Sequence, residues 1–455
     1  MEKNNPVRKV SPVAWVPTAY FAMGLPFVIL NMVAVLMFSG LGVDDKLTTF
    51  WTSLIMLPWT LKFLWSPFIG IFKTKKFFVV TTQIVTGVAF GLVASVLGLP
   101  HFFSLTIALM AIIAFSGATH DIACDGVYMS ELSLTDQARY IGWQGGFYNI
   151  AKVVAMGGLV YAAGYLIETF GGGKGQSPEA VLAANEKAWA IIMLTIGIIM
   201  VLLGIYHIFI LPSHEDKKKK GEKRSTGEIM VEIGRVLADF LTKRHIVYYI
   251  FFIILYRFAE GFVMKIVPLF LKADRAMGGL GLSEKEIGLY YGTGGAIAFV
   301  IGSLLAGYYV AAKGLKNTLF KLCCIFNIPF VVYTYLSIFQ PDSHIIICSC
   351  IVFEYFSYGF GFVGLTLFMM QQIAPGKHQM AHYAFASGIM NLGVMLPGMA
   401  SGWLCEQLGH WFDKPGGYEP FFIFVLIATI PAFLITYFVP FKYGRNGQLL
   451  PGESN

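Results

Sequence analysis

Twelve stretches of this 455-residue chain are long and apolar enough to cross a lipid bilayer. A spanning helix needs about 20 mostly apolar residues. Backbone polar groups in hydrocarbon must find partners within their own segment, which favours helices. The stretches lie at 13–40, 47–72, 77–99, 102–131, 138–168, 187–211, 246–271, 285–312, 316–339, 344–372, 380–409 and 419–440. The sequence therefore predicts an all-α membrane protein with twelve transmembrane helices.

The overall composition excludes several classes of protein. Apolar and aromatic residues make up 56% of the chain, and Asp, Glu, Lys and Arg make up 13%, against about 25% in an average soluble protein. So few charges cannot cover the surface of a soluble fold of this size. This excludes a soluble enzyme, a disordered chain and a nucleic-acid-binding protein. The first stretch is too long for the apolar core of a signal peptide, so we expect it to remain as the first span.

No metal or other cofactor is expected. The six cysteines lie in apolar runs without zinc-ribbon spacing, and we interpret them as buried apolar side chains. His120 and Cys124 are four residues apart, a spacing that could begin a metal site, but no second cluster of His or Cys completes one. A membrane-embedded enzyme is disfavoured because no nucleophile with an adjacent base lies beside these residues.

One long polar segment divides the chain into two halves. Residues 212–245 contain a run of four lysines at 217–220, and they separate residues 1–211 from residues 246–455. Each half carries six of the predicted spans. Six helices, a charged linker and six more helices are typical of a two-half secondary transporter.

The placement of Lys and Arg predicts the orientation in the membrane. Loops with an excess of Lys and Arg lie on the cytoplasmic side. With both termini cytoplasmic, the inside segments carry about three times as many Lys and Arg as the outside loops. We therefore expect cytoplasmic termini and a cytoplasmic linker whose lysines touch anionic lipid.

Ionisable side chains inside the spans are the first candidates for a functional site. Each costs about 2.5–3.5 kcal/mol near the centre of a spanning helix, so such residues are functional by default. By the rise of about 1.5 Å per residue, Asp121, Arg257 and Glu354 lie near the bilayer midplane. The ionisable residues within spans are Lys62, His120, Asp121, Asp125, Lys152, Arg257, Glu260, Lys265 and Glu354.

Several of these residues are suited to carrying protons. Asp121 and Asp125 are four residues apart on one helix, so both carboxylates face the same way and can share a cavity. Buried carboxylates can exchange protons, and we predict a proton-coupling role for this pair and for Glu260 and Glu354. His120 could relay protons or bond across helices. The structural alternative is that Asp121 pairs permanently with Lys152 or Lys62 and holds helices together.

The remaining charged residues have separate interpretations. Arg257 and Glu260 are three residues apart and can form an ion pair. Lys265 is rotated away from Glu260, and we expect its side chain to extend towards the outer interface.

Cations and aromatic rings predict the chemistry of a substrate. Lys62, Lys152 and Arg257 could neutralise a carboxylate in a dry site. Flat rings with a polar edge suit the face of a sugar. The aromatic candidates for such contacts are Trp59, Trp143 and Tyr148.

Four segments together resemble a known family of permeases. They are Leu57-Pro-Trp-Thr-Leu-Lys62-Phe-Leu-Trp65-Ser-Pro67, Ala118-Thr-His-Asp121-Ile-Ala-Cys-Asp125, Tyr256-Arg-Phe-Ala-Glu260 and Phe353-Glu354. In these segments the chain resembles the AmpG-type muropeptide permeases, a peptide/acetyl-CoA transporter branch of the major facilitator superfamily. The chain departs from the family pattern where His120 replaces a Gln and where Gly70-Ile71 replaces an Asp-Arg pair.

The resemblance implies a fold, an activity and a cellular location. It implies proton-driven import, across a bacterial inner membrane, of disaccharides of N-acetylglucosamine and anhydro-N-acetylmuramic acid, with or without peptide. By position, Asp121 and Asp125 would be the acidic pair, Lys62 a buried cation and Arg257–Glu260 the pair of the seventh span. Proton-coupled efflux or uptake of another small molecule, drug-like or a siderophore, remains an alternative on this fold, and a membrane receptor is a weaker one.

Overall fold

The computed structural model describes residues 10–66, 69, 73–132, 134–173, 175–212, 226–376, 378–444 and 448–450. Within these residues the chain is almost entirely helical, and Tyr443 and Leu449 form an isolated β-bridge. The first half contains α1 (Pro12–Val28), α2 (Ala34–Gly40), α3 (Asp45–Leu54), α4 (Leu57–Leu61), α5 (Lys75–Val96), α6 (Phe102–Glu131), α7 (Leu134–Lys152), α8 (Val160–Thr169) and α9 (Pro178–Ile210).

The linker and the second half continue the helical pattern. The linker contains α10 (Thr226–Leu241), and the lysine run at 217–220 lies outside the described residues. The later helices are α11 (Ile246–Tyr256), α12 (Phe258–Lys272), α13 (Glu284–Ile287), α14 (Gly295–Lys313), α15 (Leu315–Asn327), α16 (Val331–Phe339), α17 (His344–Phe368), α18 (Gln379–Phe412), α19 (Tyr418–Ala428) and α20 (Ile430–Tyr437).

Ten helical segments among the described residues are long and apolar enough to cross a membrane. They correspond to ten of the twelve predicted spans. Large apolar side chains such as Phe209, Leu304 and Ile345 are exposed on these helices, as expected for surfaces that face lipid. The segments are Pro12–Gly40, Lys75–Val96, Phe102–Glu131, Trp143–Thr169, Pro178–Ile210, Glu284–Lys313, Leu315–Phe339, His344–Ile373, Ala381–Phe412 and Tyr418–Tyr437.

The second and seventh predicted spans are helical but interrupted. The second consists of α3, α4 and a 3₁₀ turn at Lys62–Leu64, with Pro58 near the start of α4. The seventh is divided into α11 and α12 at Arg257, whose backbone leaves the helical region. Broken helices occur at membrane depth only where protein or a water-filled cavity surrounds them. The prediction of an all-α membrane fold is confirmed.

Polar side chains define where several helices begin. Asp44 accepts hydrogen bonds from the backbone N–H groups of Lys46 and Leu47 at the start of α3. Ser283 and Glu286 form a capping box at the start of α13. These contacts satisfy backbone donors that the first helical turn leaves unpaired.

Four spans contain a wider π-helical segment. The segments are Ile29–Val33, Val153–Leu159, Gly288–Gly294 and Met369–Ile373. A π-helical turn breaks the regular pattern of backbone hydrogen bonds and often marks a functional position. In the first segment the N–H of Ala34 bonds to the carbonyl of Ile29, five residues earlier.

Packing divides the chain into two compact units. The first unit consists of Met1–Phe27, Leu64–Lys152 and Ala190–Thr226, and the second of Val28–Phe63, Val153–Trp189 and Gly227–Asn455. These units group residues by packing, and the second contains segments from both sides of the linker. The division into six-helix halves at 1–211 and 246–455 describes sequence organisation and remains a prediction.

Glycines bring two π-helical segments of the second unit into close contact. A Cβ atom on Gly292 would lie 2.2 Å from the carbonyl oxygen of Met156, and one on Gly157 would lie 2.3 Å from Thr293 Oγ1. A side chain larger than hydrogen would therefore push the two segments apart. By contrast, a Cβ on Gly158 would meet nothing within 4 Å.

Two lysines of α12 bind across this unit. The Lys265 side chain is 0% exposed, and its Nζ donates to the carbonyl oxygens of Asn31 at 2.8 Å and Thr52 at 3.1 Å. The expectation that Lys265 extends to the interface is therefore wrong, because backbone carbonyls satisfy the ammonium inside the protein. Seven residues later, Lys272 pairs with Glu284 at 2.7 Å.

We predict different effects on stability for alanine substitutions at Gly292 and at Gly158. Gly292→Ala places a methyl group against backbone that cannot rotate away, so it lowers the unfolding temperature. Gly158→Ala enters open space and gains helix propensity of roughly 1 kcal/mol, so it leaves the unfolding temperature unchanged or raises it. Thermal unfolding of the purified protein in detergent measures both, and equal effects of the two variants would contradict the close contact.

Candidate functional site

The predicted site residues fall into two groups, one in each unit. His120, Asp121, Asp125, Trp143, Tyr148 and Lys152 belong to the first unit. Trp59, Lys62, Arg257, Glu260 and Glu354 belong to the second.

The helix α6 carries the acidic residues of the first unit. Asp121 is buried, and Asp125, one turn later, is half-buried. Asp125 Oδ1 accepts a hydrogen bond from Tyr20 Oη at 2.8 Å and lies 3.4 Å from Gln144 Nε2. Asp121 interacts electrostatically with Tyr148. Three helices therefore place hydroxyl and amide groups around the two carboxylates. We use the name aspartate cluster for the side chains of Tyr20, Asp121, Asp125, Gln144 and Tyr148.

His120 faces a different direction from the aspartates. Its Nε2 lies 2.9 Å from Gln83 Nε2 on α5, and Gln83 Oε1 lies 2.8 Å from His207 Nδ1 on α9. Consecutive residues of a helix point about 100° apart, which explains how His120 and Asp121 enter separate networks. The predicted bond from His120 across helices is therefore present.

The break in the seventh span positions Arg257. Its guanidinium binds the Glu260 carboxylate through two parallel bonds, with Nε to Oε2 at 2.6 Å and Nη2 to Oε1 at 2.5 Å. Both side chains are buried. The guanidinium also lies 5.2 Å from the centre of the Phe362 ring, within range of a cation–π interaction. The predicted Arg257–Glu260 ion pair is confirmed.

Tyr333 and Tyr358 interact with Glu354, the other acidic site residue predicted in the second unit. Tyr333 Oη donates to Glu354 Oε2 at 2.9 Å. Tyr358 interacts electrostatically with Arg257, Glu260 and Glu354. We use the name arginine cluster for the five side chains of Arg257, Glu260, Tyr333, Glu354 and Tyr358. It combines charges, hydroxyl groups and aromatic faces, which are the groups that bind a polar ligand with carbohydrate character.

The remaining predicted residues occupy varied surroundings. Lys62 lies half-buried in the 3₁₀ turn after α4, and Trp59 is buried in α4. Lys152 is half-buried at the end of α7. Trp143 exposes 41% of its surface and stacks on Phe147 at 6.1 Å.

Trp143 and Tyr148 do not form a single aromatic surface. They are five residues apart on α7, which places them roughly 140° apart around the helix. A role for both in binding one sugar face would require contacts from different sides of α7. Their substrate roles remain predictions.

Sequence reasoning missed several partners of the site residues. Tyr20, Gln83 and Tyr333 bond to predicted residues from other helices, and no local spacing indicates those contacts. His207 was detectable, since it is a buried ionisable residue within an apolar span.

Comparison with known proteins assigns the fold family. The model of the Major Facilitator Superfamily matches residues 18–375, which is most of the chain. The chain therefore belongs to this superfamily, and it is a multi-pass membrane transporter. A solved D-xylose–proton symporter has a TM-score of 0.69 to this structure at 11% identity, covering 96% of this chain and 99% of that one, which confirms the fold.

Two curated relatives confirm the resemblance to AmpG-type permeases. The anhydromuropeptide permease of Escherichia coli K12 is 23% identical over 428 residues, covering 91% of this chain and 77% of the relative. The AmpG 1 protein of Rickettsia bellii is 22% identical over 398 residues, covering 84% of this chain and 87% of the relative. These relatives are transporters, and the chain accordingly is a transporter and not an enzyme.

Loss of a buried partner distinguishes the Arg257–Glu260 pair from a surface ion pair. We predict that Glu260→Gln destabilises the protein by about 3–5 kcal/mol, because it leaves a buried guanidinium without a counter-charge. The matched control is Glu406→Gln, since Glu406 pairs with Lys46 at 2.7 Å and both side chains are over a third exposed. Solvent screens that partly exposed pair, so its loss is expected to change the stability little.

Denaturant titration of the protein in detergent, under conditions where unfolding is reversible, measures the free energy of unfolding of both variants. A Glu260→Gln variant as stable as Glu406→Gln would contradict a buried, ionised pair.

Proposed function

We propose that this transporter imports disaccharides of N-acetylglucosamine and anhydro-N-acetylmuramic acid, with or without peptide, together with protons. The observation that carries the proposal is the similarity to an anhydromuropeptide permease over 91% of the chain. The proposed location is a bacterial inner membrane, with both termini in the cytoplasm, in agreement with the distribution of Lys and Arg.

The arginine cluster is proposed to recognise the substrate's acidic group. The anhydromuramyl sugar carries a lactyl carboxylate, and an attached peptide carries further carboxylates. Glu260 binds Nε and Nη2 of Arg257, while Nη1 is not part of that pair. We propose that Nη1 donates to a substrate carboxylate when substrate binds, with Glu260 fixing the orientation of the guanidinium. Lys62 and Lys152 are proposed as further cations that can neutralise a substrate carboxylate.

Aromatic side chains are proposed to contact the sugar rings. Tyr333 and Tyr358 of the arginine cluster offer aromatic faces together with hydroxyl groups. Trp59, Trp143 and Tyr148 remain proposed contacts of a sugar ring. Each provides a flat apolar surface with a polar edge, which matches the alternating apolar and polar surfaces of a pyranose.

The aspartate cluster is proposed to carry the coupled proton. Asp121 is buried on α6 with Asp125 one turn later, so two carboxylates that can exchange a proton lie on the same side of this helix. Asp125 is held by Tyr20, whose hydroxyl donates to the ionised form. Glu354 is held in the same way by Tyr333. Protons bound from the outside and released inside would drive accumulation. Glu260 remains a proposed proton-coupling residue in addition to its ion pair with Arg257.

Uptake into proteoliposomes tests this proposal. We expect radiolabelled N-acetylglucosaminyl-anhydro-N-acetylmuramic acid to accumulate only with an inward proton gradient. Asp121→Asn, which cannot release a proton, is expected to abolish gradient-driven accumulation while leaving exchange of labelled for unlabelled sugar intact. Glu406→Gln, which removes a partly exposed carboxylate far from either cluster in sequence, serves as the control and is expected to transport normally.

The other outcomes identify which part of the proposal fails. Folded protein without uptake would reject the muropeptide class and direct the search to other substrates, beginning with export. Accumulation that is unchanged in Asp121→Asn would retain the substrate and remove the proton-coupling role of that residue.

A further inference from the structure

A buried chain of polar side chains connects four helices of the first unit. Thr18 Oγ1 lies 2.9 Å from His207 Nε2, and His207 Nδ1 lies 2.8 Å from Gln83 Oε1. Gln83 Nε2 lies 2.9 Å from His120 Nε2. His207 and Gln83 are 0% exposed and His120 is 3% exposed. The four side chains come from α1, α9, α5 and α6, and we call them the histidine chain.

With the Gln83 amide oriented as in this structure, the hydrogen-bonding capacities of these groups determine the position of each proton. An amide oxygen only accepts and an amide nitrogen only donates. Gln83 therefore accepts from His207 Nδ1–H and donates to the lone pair of His120 Nε2. His207 Nε2 accepts from the Thr18 hydroxyl, and neutral His120 carries its proton on Nδ1. Both imidazoles are neutral in this arrangement.

Rotation of the Gln83 amide reverses every bond without moving a ring. His120 Nε2–H then donates to the amide oxygen, and the amide nitrogen donates to His207 Nδ1. His207 Nε2–H donates to Thr18 Oγ1. The Thr18 hydroxyl has another acceptor in place, because the carbonyl oxygen of Trp15 lies 3.2 Å away. The chain of contacts is complete in either direction.

Only the reversed arrangement allows His120 to take up a proton. In the first arrangement His120 Nε2 is occupied by the amide N–H, so a protonated ring would direct one N–H at another. In the reversed arrangement the lone pair is on Nδ1, which is buried without a hydrogen-bond partner among the described residues. A proton added at Nδ1 leaves every link of the histidine chain in place.

We propose that Gln83 is a positioning residue whose amide orientation decides whether His120 binds a proton, and that His207 changes tautomer with it. The rings exchange protons with water during this reversal. In the reversal, each ring gives up its Nδ1 proton and receives one at Nε2, so neither charge changes. The additional proton that His120 then binds comes from solvent. This rests on the proton coupling proposed above and adds a proton-binding site beside Asp121.

Titratable groups occur on all four helices that carry the histidine chain. Lys76 of α5 interacts electrostatically with His207. Asp121 and Asp125 lie on α6 with His120, and Tyr20 of α1 bonds to Asp125. The α9 helix contributes His207 itself. A test must therefore follow the two rings individually.

Nitrogen-15 NMR of the full-length protein in lipid nanodiscs, labelled at histidine, follows each ring directly. Signals that disappear in His120→Gln and His207→Asn assign the two residues. As the pH is lowered, we expect His120 to become doubly protonated while His207 changes from the Nδ1–H to the Nε2–H tautomer over the same pH range. The nanodiscs contain only protons as ligand, so the result does not depend on the sugar.

Two variants isolate the role of Gln83. Gln83→Met keeps a similar volume but removes both hydrogen bonds, so the tautomer change of His207 should be lost while its other signals persist. Ser116→Ala removes a contact between α5 and α6, the helices that carry Gln83 and His120, since Thr86 Oγ1 donates to Ser116 Oγ at 3.0 Å. This control should retain the correlated change.

Two results would overturn the proposal. One is a His207 tautomer that stays fixed while His120 binds a proton in the wild-type protein. The other is a His120 that remains neutral at every pH at which the protein stays folded. Correlated titration without gradient-driven sugar uptake would instead reject the proposed transport function and leave the histidine chain established.

Discussion

The cost of placing polar groups in hydrocarbon determines the organisation of this protein. Lipid offers no hydrogen bonds, so each buried charge and each broken backbone turn must find its partner within the chain. Lys265 meets this requirement with two backbone carbonyls, and Arg257 meets it with both oxygens of Glu260. The partners of these buried charges therefore come from inside the chain, and packing of the spans brings them together.

The same constraint explains why irregular backbone coincides with the candidate site. The seventh span breaks at Arg257, and the first span becomes π-helical at Ile29–Val33, where the Asn31 carbonyl receives Lys265. Such breaks expose backbone groups that a regular helix would use internally. In transporters, discontinuous helices place these groups near bound substrates and ions. Arg257 thus obtains its position from the loss of regular helix around it.

The sequence predicted the helical class because the length of an apolar stretch directly reflects the thickness of the bilayer. It also predicted the Arg257–Glu260 pair, since both residues lie on neighbouring turns of one segment. It failed for Lys265, because snorkelling was expected of a lysine near a helix end and the carbonyl acceptors come from other spans. It also could not indicate the partners Tyr20, Gln83 and Tyr333, whose contacts depend on helix packing and not on local spacing.

The central functional claim is that sugar and protons move together through this transporter. A pH-sensitive dye trapped inside proteoliposomes tests it most directly, with no imposed gradient and with the unlabelled disaccharide added outside. The account predicts that adding the sugar acidifies the vesicle interior, and that Asp121→Asn abolishes the acidification. Entry of the sugar without any acidification would contradict the claim.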